Sequence, residues 1–226
     1  MQDKNMLILV AGSTGAGKTT IIRQAIQLLG EQNLSTFPTC TTRPPRLGEI
    51  NGKDYVFFDK QEFNKAIKDH DIIEAKKVYN NYYGTYLPAI LQKMQTSKVL
   101  IKDFDVEGYQ NVQKRIALHL QKRDLSVLPM VTILIDAPDQ ILLDRIISRN
   151  DNTNVKERES ELVVERGYKT HNHYDYRIDN STSDPSLALK ELCSILQNEY
   201  YSIYKEPLFD EKILDNISSP VMQDKS

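Results

Sequence analysis

The sequence predicts an α/β protein whose parallel sheet carries a phosphate-binding loop after its first strand and is interrupted by a smaller inserted region. Three observations carry that prediction. Gly12-Ser13-Thr14-Gly15-Ala16-Gly17-Lys18-Thr19 matches G-x-x-x-x-G-K-S/T at every specified position. It lies between a continuous apolar run and an apolar helical pattern, the context this loop requires. Short apolar runs then alternate with helical patterns, which argues for parallel strands joined by crossover helices. Between residues 37 and 87 the pattern changes to paired prolines, a tight turn and a half-polar strand, as an insertion does.

In order, residues 6–11 form an unbroken apolar run, as in a strand buried on both faces. Ile21, Ile22, Ala25, Ile26 and Leu29 recur at helical spacing, and Gly30 suits the helix end. Residues 38–55 read as a long ordered loop: Pro44-Pro45 excludes a helix or a central strand, and Asn51-Gly52 marks a turn. Residues 55–58 read as a short strand, and Asp59 with Glu62 forms a capping box for a helix to residue 70. Residues 72–79 mix apolar and charged side chains like an exposed strand of a small sheet. Pro88 opens a short helix to residue 95. Residues 98–104 return to a buried strand, placing Asp103 and Asp105 at its C-terminal end, where ligands bind in open parallel sheets. Helices follow at 106–122, 138–149, 156–168 and 186–204, with strands at 131–135 and 174–178. Arg145 and Arg149, four apart, share one side of their helix. The polar end, residues 215–226, reads as frayed.

Composition bounds the rest. At 226 residues and 40% hydrophobic content, the chain holds one large α/β domain with an insertion. A formal net charge of -2 lacks the basic excess of a nucleic-acid binder. Cys40 and Cys193 are far apart and outside any C-x-x-C pair, so they read as small buried hydrophobes. The first residues carry an acid and a base, and their apolar run ends in the phosphate loop, unlike a signal peptide. No apolar stretch approaches membrane-crossing length. The expectation is a cytoplasmic protein with neither nucleic acid nor membrane as partner.

The loop itself makes the chain a nucleoside triphosphate binder. Its glycines let successive backbone N–H groups turn toward one anion, and the next helix adds its free N–H groups and positive dipole end. Lys18 is placed to reach the terminal phosphates, and the Thr19 hydroxyl to ligate magnesium.

The chain resembles the guanylate kinase family. The resemblance rests on the phosphate loop, on Thr41-Thr42-Arg43-Pro44-Pro45-Arg46-Leu47-Gly48-Glu49 with Gly52-Lys53-Asp54-Tyr55, and on Glu74. It continues through Asn81-Tyr82-Tyr83-Gly84-Thr85 and Asp103-Phe104-Asp105-Val106-Glu107-Gly108, in the family's order, over residues 7–180. It implies a P-loop NTPase core of residues 1–36 and 88–205, an inserted small mixed β-sheet region for GMP at 37–87, and a helical lid near 145–168. Residues 206–226 are left as a tail. It implies ATP, bound by Gly12 to Thr19 with Thr20, and GMP as substrates, with Mg2+ as cofactor, in a monomer or homodimer.

The residues agree with that chemistry. Arg43 and Arg46 on a proline-stiffened loop are suited to clamp a phosphate dianion with paired N–H donors, and Tyr55 and Tyr83 add hydroxyls. Guanine offers donors at N1 and N2 beside an acceptor at O6. One carboxylate, Glu74, accepts both donors, with Thr39, Thr85 and Asp105 around the ring edge. The attacking phosphate oxygen is already deprotonated, so the site must supply alignment and charge neutralisation. Lys18, Arg145, Arg149 and Arg158 are the candidates, with Asp103 as outer-sphere partner of magnesium. Thr39 stands where the family commonly has serine, and Glu107 where glutamine is usual. The lid between Arg149 and Arg158 is about two residues shorter than the family's. Two other readings remain: a kinase for a different small phosphorylated acceptor, and a non-catalytic guanylate kinase-like interaction module.

Overall fold

The computed structural model describes residues 4–107, 109–122, 128–148 and 155–217. The first strand, β1 (Met6–Ala11), is buried at every position. Alternate side chains divide it between two cores: Met6, Ile8 and Val10 face one, Leu7, Leu9 and Ala11 the other. The loop and helix α1 (Lys18–Leu29) follow, and α1 buries Ile21, Ile22, Ala25 and Leu29 in the first core. A two-residue strand, β2 (Leu34–Ser35), leads into the inserted region.

That region holds β3 (Thr39–Thr41), β4 (Tyr55–Phe57), α2 (Lys60–Lys68), β5 (Ile72–Val78) and β6 (Asn81–Tyr86). The strands form a separate sheet in the order β4-β3-β6-β5, parallel between β3 and β4 and antiparallel elsewhere. The capping box is present: Asp59 accepts from the backbone N–H groups of Gln61 and Glu62, and Glu62 accepts from that of Asp59. Phe63 and Ala66 of α2 pack with Cys40 and Ile72 into a small third core. The structure corrects the long-loop reading of residues 38–55, because Thr39–Thr41 is a strand paired to both β4 and β6. It also adds β6, whose tyrosines and asparagine carry no strand periodicity of their own.

The chain returns to the larger sheet through α3 (Leu87–Lys93), β7 (Val99–Phe104), α4 (Tyr109–Gln121), β8 (Met130–Asp136), α5 (Asp139–Ser148), α6 (Val155–His171), β9 (Tyr176–Asp179) and α7 (Ser186–Tyr204). This sheet is parallel throughout, in the order β2-β7-β1-β8-β9, with the phosphate loop at the C-terminal end of its middle strand. Side chains of α1, α5, α6 and α7 cover one face, and those of α3 and α4 the other. Both cysteines are free and buried, and burial pushes each thiol up to about 12.

The reading of residues 215–226 as frayed is corrected at residues 215–217. A final helix, α8 (Lys212–Asn216), follows α7, and Leu208, Phe209 and Ile217 are buried in the first core. The Gln197 side chain accepts from the backbone N–H groups of Leu208 and Phe209. Residues 218–226 lie outside the described residues. No described helix is long and apolar enough to cross a membrane.

Candidate active site

The phosphate loop is held by close backbone packing. Gly15 and Gly17 both have φ of 88°, a conformation that strains any residue with a Cβ. At Gly12 a Cβ would lie 2.4 Å from the Ile135 carbonyl of β8. Ala16 N–H closes a turn onto the Ser13 carbonyl at 3.1 Å, and α1 begins at Lys18. The first N–H groups of α1 therefore have no partner within their own helix and face the loop. Lys18 Nζ donates to the carbonyls of Gly12 (2.5 Å) and Ser13 (3.1 Å). Burial pushes its pKa below the ordinary lysine value, against the opposing charges of Asp103, Asp105 and Glu165. Ser13 is buried, whereas Thr14 and Thr19 are exposed and Thr20 is half-buried.

Thr19 Oγ1 donates to Asp103 Oδ2 at 3.1 Å, joining the first turn of α1 to the end of β7. A hydroxyl and one carboxylate beside a phosphate cradle form the donor set magnesium prefers, since that ion takes most of its ligands from phosphate and water. The residues present fit such an ion.

One arginine of α5 contacts the loop, and one of α6 acts on the charge of Lys18. Arg145 of α5 donates to the Gly15 carbonyl at 3.4 Å and to the Thr182 carbonyl at 2.8 Å. Arg158 of α6 pairs with Glu161 and lies 3.5 Å from Glu165, with its side chain only 12% exposed. Its Nε is buried without a hydrogen-bond partner, and its Nη2 meets only the Glu165 carboxylate. Arg158 and Glu165 both act on the charge of Lys18, in opposite directions. Arg149 lies outside the described residues.

A cleft of about 560 Å³ opens between the two sheets, within the usual range for small-molecule sites. Thr39, Tyr55, Glu74, Tyr83, Thr85, Asp103 and Asp105 all line it, together with Lys18. Glu74 points there because the β5–β6 register shifts between Ile72 and Glu74, so Ile72 and Ile73 both turn into cores. Thr85 Oγ1 donates to Glu74 Oε1 at 3.2 Å. Burial raises the Glu74 pKa, opposed by that hydrogen bond and by Arg115 and Lys76.

Arg43 and Arg46 are not among the residues lining the cleft. Arg43 is bidentate to Glu49, at 3.0 and 2.7 Å, and lies 5.5 Å from the Tyr55 ring centroid. Tyr83 also raises the Arg43 pKa, after Glu49, so two cleft tyrosines neighbour Arg43. The Arg46 backbone N–H donates to Glu49 at 2.6 Å, while its side chain is exposed.

Two residues absent from the sequence-level set belong to this geometry. Asn180, just after β9, donates from Nδ2 to the Ala16 carbonyl at 2.8 Å. Its place at the C-terminal edge of a parallel strand was the available signal. Lys102 lines the cleft and donates to the Phe37 carbonyl at 3.2 Å. A lone lysine following the apolar Val99-Leu100-Ile101 was the signal there. Glu107 lines the cleft too and is exposed.

A phosphate loop at the C-terminal edge of a parallel sheet, opening on a carboxylate-lined cleft between that sheet and a second one, defines a P-loop phosphotransferase. Residues 4–199 match the sequence model of the guanylate kinase family. A guanylate kinase of Lactiplantibacillus plantarum is 31% identical over 219 residues, covering 95% of this chain and 98% of its own length. One from Clostridium tetani is 38% identical over 112 residues, and that match covers 50% of this chain and 52% of the relative. The crystal structure of guanylate kinase from Anaplasma phagocytophilum shares the fold, with a TM-score of 0.52 at 18% identity over 96% of this chain and 95% of that one. The chain belongs to the guanylate kinase family of enzymes.

Proposed function

We propose that this protein transfers the γ-phosphoryl group of ATP to GMP, giving ADP and GDP. The observation that carries the reading is a single cavity lined at once by Lys18 of the phosphate loop and by the Glu74–Thr85 pair. Donor phosphates and acceptor base thus fit one continuous cleft. Gly12 to Thr20 hold the triphosphate, Arg43, Arg46, Tyr55 and Tyr83 hold the GMP phosphate, and Glu74, Thr39, Thr85 and Asp105 read the base. The acceptor oxygen needs no general base, because a phosphomonoester's second pKa is about 6. Lys18, Arg145, Arg149 and Arg158 neutralise the charge that spreads over the moving phosphoryl group in an in-line transfer. Thr19 and Asp103 would hold Mg2+, which supplies further charge neutralisation when bound. dGMP is a substrate as well, since the assigned contacts address base and phosphate.

The complete phosphate loop favours an enzyme over a non-catalytic interaction module. A coupled assay with ATP, magnesium and each nucleoside monophosphate tests the reading. GMP and dGMP are expected to turn over far faster than AMP, CMP or UMP. Turnover of another monophosphate at a rate equal to GMP would assign the cleft to a different acceptor.

A further inference from the structure

Besides Lys18, two lysines line the cleft: Lys76, which is exposed, and Lys102, which is half-buried. Lys102 stands two residues beyond Leu100 on β7, so the period of two sends both to the face that packs with Phe37. Its ammonium lies 5.7 Å from the Phe37 ring centroid and donates to the Phe37 carbonyl at 3.2 Å. An ammonium has three N–H donors, and Phe37 takes one. Among the described residues, no second hydrogen-bond acceptor or ion-pair partner engages Nζ. The side chain lines the same cleft as Thr39, Glu74 and Asp105. A lysine enclosed in this way, with donors left over on a substrate cleft, is built to meet an acceptor on the substrate.

The base chemistry identifies that acceptor. A purine whose N1–H and N2–H face a carboxylate presents O6 and N7 along its other edge, and lysine is a suited donor to that pair. Adenine shows amino donors where guanine has O6, so the same cation would face N–H groups. We propose that Lys102 is a specificity-determining residue of the acceptor site, donating to O6 of a 6-oxopurine while Glu74 accepts from the opposite edge. The proposal rests on the reading of this cleft as a GMP site. It also adds to Lys18 and Lys76 a third cation to set against Asp103, Asp105 and Glu107, all of which line the cleft.

Lys102→Met tests it, because methionine keeps an unbranched stem of similar volume under Phe37. Thermal melting checks the fold, and calorimetry with the full chain gives Kd for GMP, AMP and IMP, which keeps O6 but lacks the 2-amino group. The expected result is a weakening of GMP and IMP by the same factor, about 10- to 100-fold, with AMP unchanged or tightened and GMP turnover altered in KM more than in kcat. An equal loss for all three nucleotides would mean a packing role and overturn the proposal. So would a GMP Kd unaffected by the substitution. If the variant does not fold, the wild type carries the test with 6-thio-GMP, whose sulfur is a weak acceptor. Binding as tight as that of GMP would overturn the proposal. A wild type with no preference for GMP over AMP is a separate outcome, and it overturns the reading of the cleft itself.

Discussion

The Asn180 side chain donates to the Ala16 carbonyl at 2.8 Å, while its backbone N–H donates to the Asp136 carbonyl at 2.8 Å. The first residue after β9 thereby ties the phosphate loop to the end of β8. Gly17 makes the approach possible, since a Cβ there would lie 2.5 Å from Asn180 Nδ2. Asn180 is 4% exposed, so Asn180→Ala leaves a buried carbonyl without its donor, at a cost of about 1–3 kcal/mol. The KM for ATP is expected to rise with it, because the loop loses its brace. Asn180→Asp should be worse, as an ionised carboxylate has no donor for Ala16. Urea denaturation and ATP titration check both effects, and an Asn180→Ala protein unchanged in both would remove the bracing role.

Lys18→Ala separates chemistry from folding. Burial is the largest influence on Lys18 and lowers its pKa below 10.5, so the charged amine is less favourable in the folded protein than in water. That penalty is fully present below the folded pKa and fades as the pH rises from there towards 10.5. The alanine variant should therefore melt at the wild-type temperature or above it near neutral pH. Its kcat should fall by at least about 10²–10³-fold, the scale of losing a charge-stabilising donor. Calorimetric melting and steady-state kinetics on one preparation decide the matter, and near-normal kcat would contradict the role given to Lys18.

The legible parts of the fold are those with a local cause. β1 and β8 are apolar runs because both faces are covered, and α7 spans Ser186–Tyr204, as its periodicity predicts. β3 and β6 are held by pairing between distant residues, Cys40 with Gly84 and Thr41 with Tyr83, and carry no alternation that a local reading detects. The same limit applies to the site. The motif placed Lys18 and Thr19, but the approach of Arg145 to Gly15 and Thr182 depends on how α5 packs. Lys102 and Asn180 are held against Phe37 and Ala16, contacts that spacing along the chain does not encode.

The C-terminal segment gives a stability test. Two adjacent apolar residues in a polar stretch were too weak a signal, yet Leu208 is 1% exposed within the main core. Leu208→Ala should cost about 2–5 kcal/mol, the range for emptying a packed leucine site. GMP affinity should stay unchanged, because the segment packs on α7 and not on the cleft. A loss below about 1 kcal/mol would indicate that this packing adds little to the fold.

The pH dependence of GMP use tests base reading by Glu74. Burial holds its pKa above 4.5, with Thr85, Arg115 and Lys76 acting against that shift. For a carboxyl raised in this way, the folded protein binds more protons than the unfolded chain between 4.5 and the folded value, so its contribution to stability falls as pH rises through that window. Recognition runs in the opposite direction, since only the ionised carboxylate accepts from both N1–H and N2–H. The kcat/KM for GMP should therefore drop with falling pH through a free-enzyme pKa above 4.5. Protonation of the GMP phosphate near pH 6 overlaps this loss, so the diagnostic is the ratio of wild type to Glu74→Gln, in which the phosphate's contribution cancels. That ratio should be on the order of 10² near neutral pH, the upper end for one buried donor left unpaired, and shrink towards unity in acid. A ratio that stays flat across the acid range would place the guanine contact on some other residue.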